Sequence, residues 1–413
     1  MRSRERSIAS LSPWSRRCHC LKAIIGLPAG NKRFLTTLLQ MHSRAAIGIV
    51  AREIPGLQRS FIVHLSCRIL LLFFLFAGVS ACDRGPGDHQ QTLLVFGTLL
   101  DIKAYTDKPD EFAAAVRGLE QTFQMMHREW HAWKGDGELV RLNRAIARGD
   151  AMRVTPELAD LLRQAKRHAQ QSDHLFNPAI GRLVALWGFH SDEPPAGPPP
   201  DASRIAALIA QAPAMSQLVF EENRIRASNR AVALDLGAFA KGYALNLAIR
   251  RLQAFGIGNA IVNAGGDLCV SGRHGDRPWA IGIRHPLGEG VIASVEVADG
   301  ECVLTSGNYE RYREHEGIRY AHIIDPRSGY PVRHVASATV ISRDGGLADA
   351  AATALSVAGP QQWHRIAAQM GLAEVMLVDE NGAVHVSPRM GQRIEFQQPI
   401  DRVLVSAPLQ SQP

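Results

Sequence analysis

Asp349 and Thr353 stand four residues apart in Ala348-Asp-Ala-Ala-Ala-Thr-Ala354. On a helix, positions i and i+4 lie one above the other, so this carboxylate and hydroxyl share a face. Two oxygen donors converging from one face suit a hard cation such as Mg2+. Just upstream, His322-Ile-Ile-Asp-Pro-Arg-Ser-Gly-Tyr-Pro331 supplies a His able to accept a proton. Each residue alone also fits a plain role: a solvated Asp, a packed Thr, a structural His. Together they are the ingredients of metal-assisted phosphoryl chemistry.

Three further segments carry chemistry or mimic it. In Ala233-Leu-Asp-Leu-Gly-Ala-Phe-Ala-Lys-Gly-Tyr-Ala244 an apolar run ends at Asp235, and a helix opens with Lys241 near its first turn. Exposed amides at a helix N-terminus favour anionic groups, and a Lys there neutralises phosphate. The pattern is not a GxxxxGK[ST] loop, which weakens an ordinary nucleotidase reading. A Gly-rich turn with a solvated Lys is the structural alternative. Asn263-Ala-Gly-Gly-Asp267 permits either a tight turn or close ligand contact. Phe176-Asn-Pro-Ala-Ile-Gly-Arg-Leu-Val-Ala-Leu-Trp-Gly-Phe189 reads as core or as a stacking platform.

The elements that must position these residues follow from periodicity. Apolar positions Phe112, Val116, Leu119, Phe123 and Met126 predict an amphipathic helix over 109–128. A helix over 156–172 opens with Thr155 as N-cap and Pro156 at its first position. Further helices are expected at 139–143, 205–210, 237–254, 347–357 and 361–370. Strands are expected at 92–105 with an interruption at Gly97-Thr98, and at 219–226, 231–235, 260–263, 279–284, 292–297, 303–305, 337–341, 375–378 and 384–386. Strands arrive in runs between helices, which predicts an α+β fold with mixed or antiparallel sheets. The Pro-rich tract 191–201 is a solvent loop.

Charge is partitioned along the 413 residues. Residues 1–82 carry 12 Lys/Arg against 2 Asp/Glu, and the remaining 331 carry 34 against 37. The net +7 therefore belongs to the N-terminal segment. The body has no basic stripe interleaved with aromatics, which argues against a nucleic-acid partner. Residues 69–79 form an apolar run too short to span a bilayer but of signal-peptide length, flanked by Arg59, His64 and Arg68. Val79-Ser80-Ala81-Cys82 reads as a bacterial lipoprotein cleavage box, with Cys82 as the lipidated residue. A buried strand or helix is the alternative for the run itself. The stretch before it exceeds an ordinary n-region, so translation is expected to begin downstream of Met1, at Met41 or at a non-Met codon. The domain boundaries expected are 1–81 for the extension and signal peptide, 82–91 for a polar linker, 92–405 for one catalytic domain and 406–413 for a tail. Cys269 and Cys302 are available to pair in an oxidising compartment, and spacing leaves the pairing open.

The motifs recur in order: Phe96-Gly-Thr98, Leu139-Val-Arg-Leu-Asn143, Phe176-Asn-Pro with Leu186-Trp-Gly-Phe189, Leu234-Asp-Leu-Gly-Ala-Phe-Ala-Lys-Gly-Tyr243, Val262-Asn-Ala-Gly-Gly-Asp267, Leu304-Thr-Ser-Gly-Asn-Tyr309, then the His322 and Asp349 blocks. This series resembles the FAD:protein FMN transferase (ApbE) family over about residues 92–405. The resemblance implies an ApbE-like, T-fold-related architecture and an enzyme that takes FAD and Mg2+. Such an enzyme transfers FMN to a Thr hydroxyl of a partner protein and releases AMP. It implies a flavin site at Phe96, Trp133, Leu175, Phe176, Asn177, Asp235, Lys241 and Ile323. The metal would be held by the Ala238 carbonyl, Asp349 and Thr353, with His322 assisting catalysis. Trp133 stands where a Tyr is common, and Asn177 and Asn246 stand where the family usually has Asp. The implied setting is the periplasmic side of the inner membrane, with a lipid on Cys82 as anchor and a periplasmic or membrane protein as acceptor. An Mg2+-dependent FAD pyrophosphatase and a non-catalytic periplasmic flavin-binding lipoprotein remain as alternatives.

Overall fold

The computed structural model describes residues 85–191, 193 and 195–409. The apolar run at 69–79, the cleavage box and Cys82 lie outside these residues. The described chain opens with a hairpin of β1 (Gly87–Val95) and β2 (Thr98–Thr106). Its two-residue turn holds Phe96 and Gly97 at φ 55° and 71°. Turns with both central residues at positive φ match the twist of paired strands, but a phenylalanine there carries backbone strain that a glycine does not. The linker expected at 82–91 ends sooner than that, because residues 87–91 pair with 102–106 in the hairpin. Their polar, largely exposed side chains suit an edge strand as well as a linker.

Helix α1 (Pro109–Glu129) buries the apolar stripe expected of it, and α2 (Glu138–Arg148) follows. Strand β3 (Met152–Arg153) leads to α3 (Pro156–Gln171), where the Thr155 hydroxyl accepts from the Leu158 amide at 3.4 Å. Next come α4 (Gly181–Leu186), α5 (Ala202–Ile209), β4 (Leu218–Glu221) and β5 (Arg224–Ala227). The strand expected at 231–235 does not form. Only Ala233 bridges to Ile180, while the Asn143 amide takes both backbone groups of Leu234, donating at 2.9 Å and accepting at 2.7 Å. A side-chain amide thus stands in for a strand on one edge, while the Ala233 and Asp235 amides donate to the Ala179 and Pro178 carbonyls at 3.1 and 2.8 Å on the other. Helix α6 (Ala240–Ala254) begins after a turn at 237–239 rather than at Gly237.

The second half supplies most of the sheet: β6 (Ala260–Ala264), β7 (Asp267–Ser271), β8 (Trp279–Arg284), β9 (Val291–Val297), β10 (Cys302–Gly307), β11 (Tyr312–His315), β12 (Ile318–Ala321) and β13 (Val335–Ser342). Helix α7 (Gly345–Gln369) joins the two helices expected at 347–357 and 361–370 across a kink at Gly359, φ 72°, before Pro360. The chain closes with β14 (Glu374–Asp379), β15 (Val384–Val386), α8 (Pro388–Arg393), β16 (Ile394–Phe396) and β17 (Val403–Val405). The tail expected from 406 starts in contact with the body, since the Ser406 amide donates to the Val386 carbonyl at 2.9 Å.

Nine strands form one sheet in the order β1-β2-β6-β7-β10-β13-β14-β15-β17. Its pairings are antiparallel except β15 with β17, so the α+β fold with mixed and antiparallel sheets is observed. Both faces of the sheet are covered. Val340, Val375 and Leu377 pack with the helices in the main core, whereas Ile341, Met376 and Val378 pack against the small sheet of β8, β9 and β16. This accounts for β13 reading as an unbroken run of buried residues. Cys269 and Cys302 face each other on β7 and β10 and form a disulfide.

Candidate active site

The site is built where two helices start and two strands end. Helix α6 opens at the Asp235–Phe239 segment, and α7 opens beside it. Gly242 of α6 lies against Gly345 of α7 so closely that a Cβ on Gly242 would sit 2.0 Å from the Gly345 carbonyl oxygen. Only glycine lets the two backbones meet this way. The contact brings Asp349 under the first turn of α6, where its Oδ2 accepts from the Gly242 amide at 2.9 Å. Gly242 is the third residue of α6, where a helix leaves amides without intrahelical acceptors, so Asp349 caps the helix start.

Lys241 points to Asp267, the first residue of β7, and forms an ion pair with its Oδ2. Asp267 is buried and its other oxygen accepts from the Thr305 amide of β10 at 2.9 Å. Burial works against the Lys241 charge, but the carboxylates of Asp267, Asp349 and Glu310 outweigh it and hold Lys241 protonated beyond the ordinary lysine range. Asp349 responds the other way. Burial raises its carboxyl to about 7; Lys241 and the Gly242 amide pull it down, while Asp267 and Glu310 push it further up. One turn along α7, the Thr353 hydroxyl lies 3.2 Å from the Ser306 hydroxyl of β10. Among the described residues no group of three or more His, Cys, Asp and Glu has the arrangement of a metal centre. The set at hand is of another kind: one carboxylate, hydroxyls and a peptide carbonyl, all hard oxygen donors.

His322 is half-buried beyond the end of β12. Its amide donates to the Arg311 carbonyl at 3.0 Å, and its Nδ1 lies 3.1 Å from the same oxygen. A carbonyl only accepts, so Nδ1 carries the hydrogen and the lone pair is on Nε2. Burial lowers the His322 pKa to about 4 against the opposing effect of the Arg311 bond, so the ring is neutral at pH 7. Lys241 and Asp235 are among the charges acting on it.

A line of rings runs from the hairpin turn to Asp235. Phe96 meets His127 at 6.1 Å, His127 meets His131 at 5.3 Å, and His131 meets Trp133 at 4.4 Å. Trp133 then stacks on His190, 4.3 Å between centroids and 15° between planes. His190 Nε2 lies 2.9 Å from Asp235 Oδ2, and Asp235 Oδ1 accepts from the Gly237 amide at 2.8 Å. Phe96, Trp133 and Asp235 are thereby joined through residues absent from the expected set.

Other expected flavin residues turn inward. Leu175 and Phe176 are buried, the latter tilted against Phe239 in the main core with centroids 6.0 Å apart. Ile323 is buried, and its carbonyl accepts from the Val332 amide at 2.8 Å. Asn177 donates to the Pro213 carbonyl at 2.9 Å and accepts from the Ala179 amide at 3.2 Å. A carboxylate makes only the second of these bonds, which accounts locally for Asn over Asp. Asn246 is similar: it accepts from the Gly345 amide and donates to the Arg343 carbonyl at 3.3 Å, fixing the entry to α7. Sequence reasoning passed over Asp267, Ser306, His190 and Arg311 as site residues. Asp267 was signalled by closing the NAGGD motif, His190 by following the LWGF motif directly, and Ser306 by lying in the LTSGNY motif; nothing in the sequence pointed to Arg311.

The ApbE family model matches residues 96–377. A FAD:protein FMN transferase of Rhodobacter capsulatus is 47% identical over 321 residues, covering 78% of this chain and 61% of the relative, so the match spans less than two thirds of that protein's length. A FAD:protein FMN transferase of Treponema pallidum is 33% identical, covering 71% of this chain and 85% of its own. Among solved structures, the ApbE protein of Thermotoga maritima superposes with TM-score 0.68 at 29% identity, covering 76% of this chain and 100% of its own. The apo flavinyl transferase ApbE of Pseudomonas stutzeri gives 0.67 at 27%, covering 76% and 98%. With a family model matched over residues 96–377 and curated relatives at 33–47% identity, the chain belongs to the ApbE family.

Proposed function

We propose that the chain is an FMN transferase that moves FMN from FAD to a threonine hydroxyl of an acceptor protein, with AMP as leaving group. The observation that carries the reading is the Gly242–Asp349 contact, which sets a metal-binding carboxylate beside the phosphate-seeking start of α6. Kinship with proteins named FAD:protein FMN transferase supplies the substrate.

Lys241, at the start of α6, receives the FAD pyrophosphate through its charge. The Ala238 carbonyl, Asp349 and Thr353 fit Mg2+ by donor type. These three residues would hold the ion, which would supply charge neutralisation for the phosphates. The threonine oxygen attacks the phosphorus on the FMN side, the P–O bond to AMP breaks, and the hydroxyl proton passes to His322 Nε2. Asp267 holds Lys241 in place. Phe96, Trp133 and Asp235 are assigned to the flavin rings, and Leu175, Phe176, Asn177 and Ile323 to the same site, by kinship with the family.

The Cys269–Cys302 disulfide suits an oxidising compartment. It supports a location outside the cytoplasm; the periplasmic side of the inner membrane and a lipid anchor on Cys82 are proposed from the sequence alone. The test is AMP release from FAD by the purified protein. Release that needs both Mg2+ and a threonine-bearing acceptor supports transfer. Rapid AMP and FMN production without acceptor makes the protein an FAD pyrophosphatase instead.

A further inference from the structure

The reading above gives FAD two recognition groups, the Trp133 face and the Asp235 carboxylate. A single residue already engages both. His190 lies parallel to Trp133 at 4.3 Å and points Nε2 at Asp235 Oδ2 at 2.9 Å. A flat nitrogen heterocycle with an N–H at its edge is what adenine and isoalloxazine also are, and each makes this pair of contacts in the same way. We propose that His190 is an internal stand-in for the FAD ring, competing with it for the slot between Trp133 and Asp235. The inference rests on the flavin reading of that slot.

The surroundings show how the stand-in leaves. Arg311 donates to the Phe189 carbonyl at 3.3 Å and to the Ser191 carbonyl at 2.6 Å, on either side of His190. Arg313 donates to the Trp187 carbonyl at 2.9 Å. The backbone is thus pinned on both flanks, and vacating the slot takes a rotation of the His190 side chain rather than an opening of the loop. The Arg311 carbonyl is also the one that orients His322, so the loop and the proton acceptor share one support.

A competing side chain weakens apparent FAD affinity by the fraction of molecules in which the slot is open. A His190 that merely braces the loop, or forms part of the ring platform, has the opposite sign: its removal weakens FAD binding. The test is titration of the full protein with FAD, followed by flavin fluorescence, for wild type, His190→Ala, His190→Ser and His190→Phe, with thermal unfolding confirming that each is folded. His190→Ala and His190→Ser are expected to lower the Kd about tenfold, the equivalent of one stacked, hydrogen-bonded contact. His190→Phe keeps the ring and loses the Asp235 bond, and is expected to fall between them and wild type. A Kd unchanged or raised in both small variants overturns the inference while leaving the flavin reading intact. Failure of wild type and all variants to bind FAD overturns both.

Discussion

The Gly242 amide and the Asp349 carboxylate meet at 2.9 Å across the crossing of α6 and α7. That bond satisfies a first-turn amide of α6 and links two motifs 107 residues apart. It depends on the absence of a side chain at Gly242, where a Cβ would also lie 2.8 Å from Asp349 Cβ.

Gly242→Ala is therefore expected to force the helices apart. Overpacking of this kind costs about 1–3 kcal/mol, and the metal donors separate with the helices. The expected outcome is a lower Tm together with loss of transferase activity, measured by thermal unfolding and AMP release. Unchanged Tm and activity contradict the close crossing.

Asp349→Asn keeps the shape of the side chain and removes its charge. Burial already holds this carboxyl up to about 7, so the ionised form is not a source of stability in the metal-free protein. The variant is expected to be at least as stable as wild type at pH 8 in chelator, and to lose more than about a hundredfold in Mg2+-dependent turnover, the usual size of a removed electrostatic stabiliser. Activity at wild-type level contradicts the metal assignment.

His322 gives a pH signature. Its pKa is lowered from 6.5 to about 4 on folding, so the fold favours the neutral ring. The stability from that preference is complete above pH 6.5 and is lost as pH falls toward 4. Urea unfolding across this window is expected to show a steeper decline for wild type than for His322→Gln. Parallel curves place the ring in solvent.

Asn177→Asp restores the residue common in the family, and is expected to harm this chain. The carboxylate would face the Pro213 carbonyl with no hydrogen to donate. A lost buried partner costs about 1–3 kcal/mol. The expected result is a lower Tm with no gain in FAD affinity by flavin fluorescence.

Element types were legible wherever periodicity was long. The α1 stripe and the Thr155 cap gave boundaries within a residue or two, and the mixed sheet followed from runs of strands. The 231–235 segment misled because its backbone groups are taken by the Asn143 side chain, 91 residues away, and by the irregular 178–181 backbone, neither of which a local pattern reveals. Within the site, Asp349 and Thr353 were legible from helical spacing. Lys241 was legible from its place at a helix start and Asp267 from closing its motif, but their pairing was not, since it depends on which elements lie adjacent. His190 stayed hidden for the same reason: its two contacts, Trp133 and Asp235, flank it at separations that only the folded chain brings together.

The central claim is covalent transfer of FMN to threonine. Its most direct measurement is intact-protein mass spectrometry of a candidate periplasmic acceptor after incubation with the mature protein, FAD and Mg2+. The account predicts a gain of one FMN on the acceptor, mapped to a threonine and abolished when that threonine is changed to valine. An unmodified acceptor beside FAD that has been cleaved to FMN and AMP would contradict it.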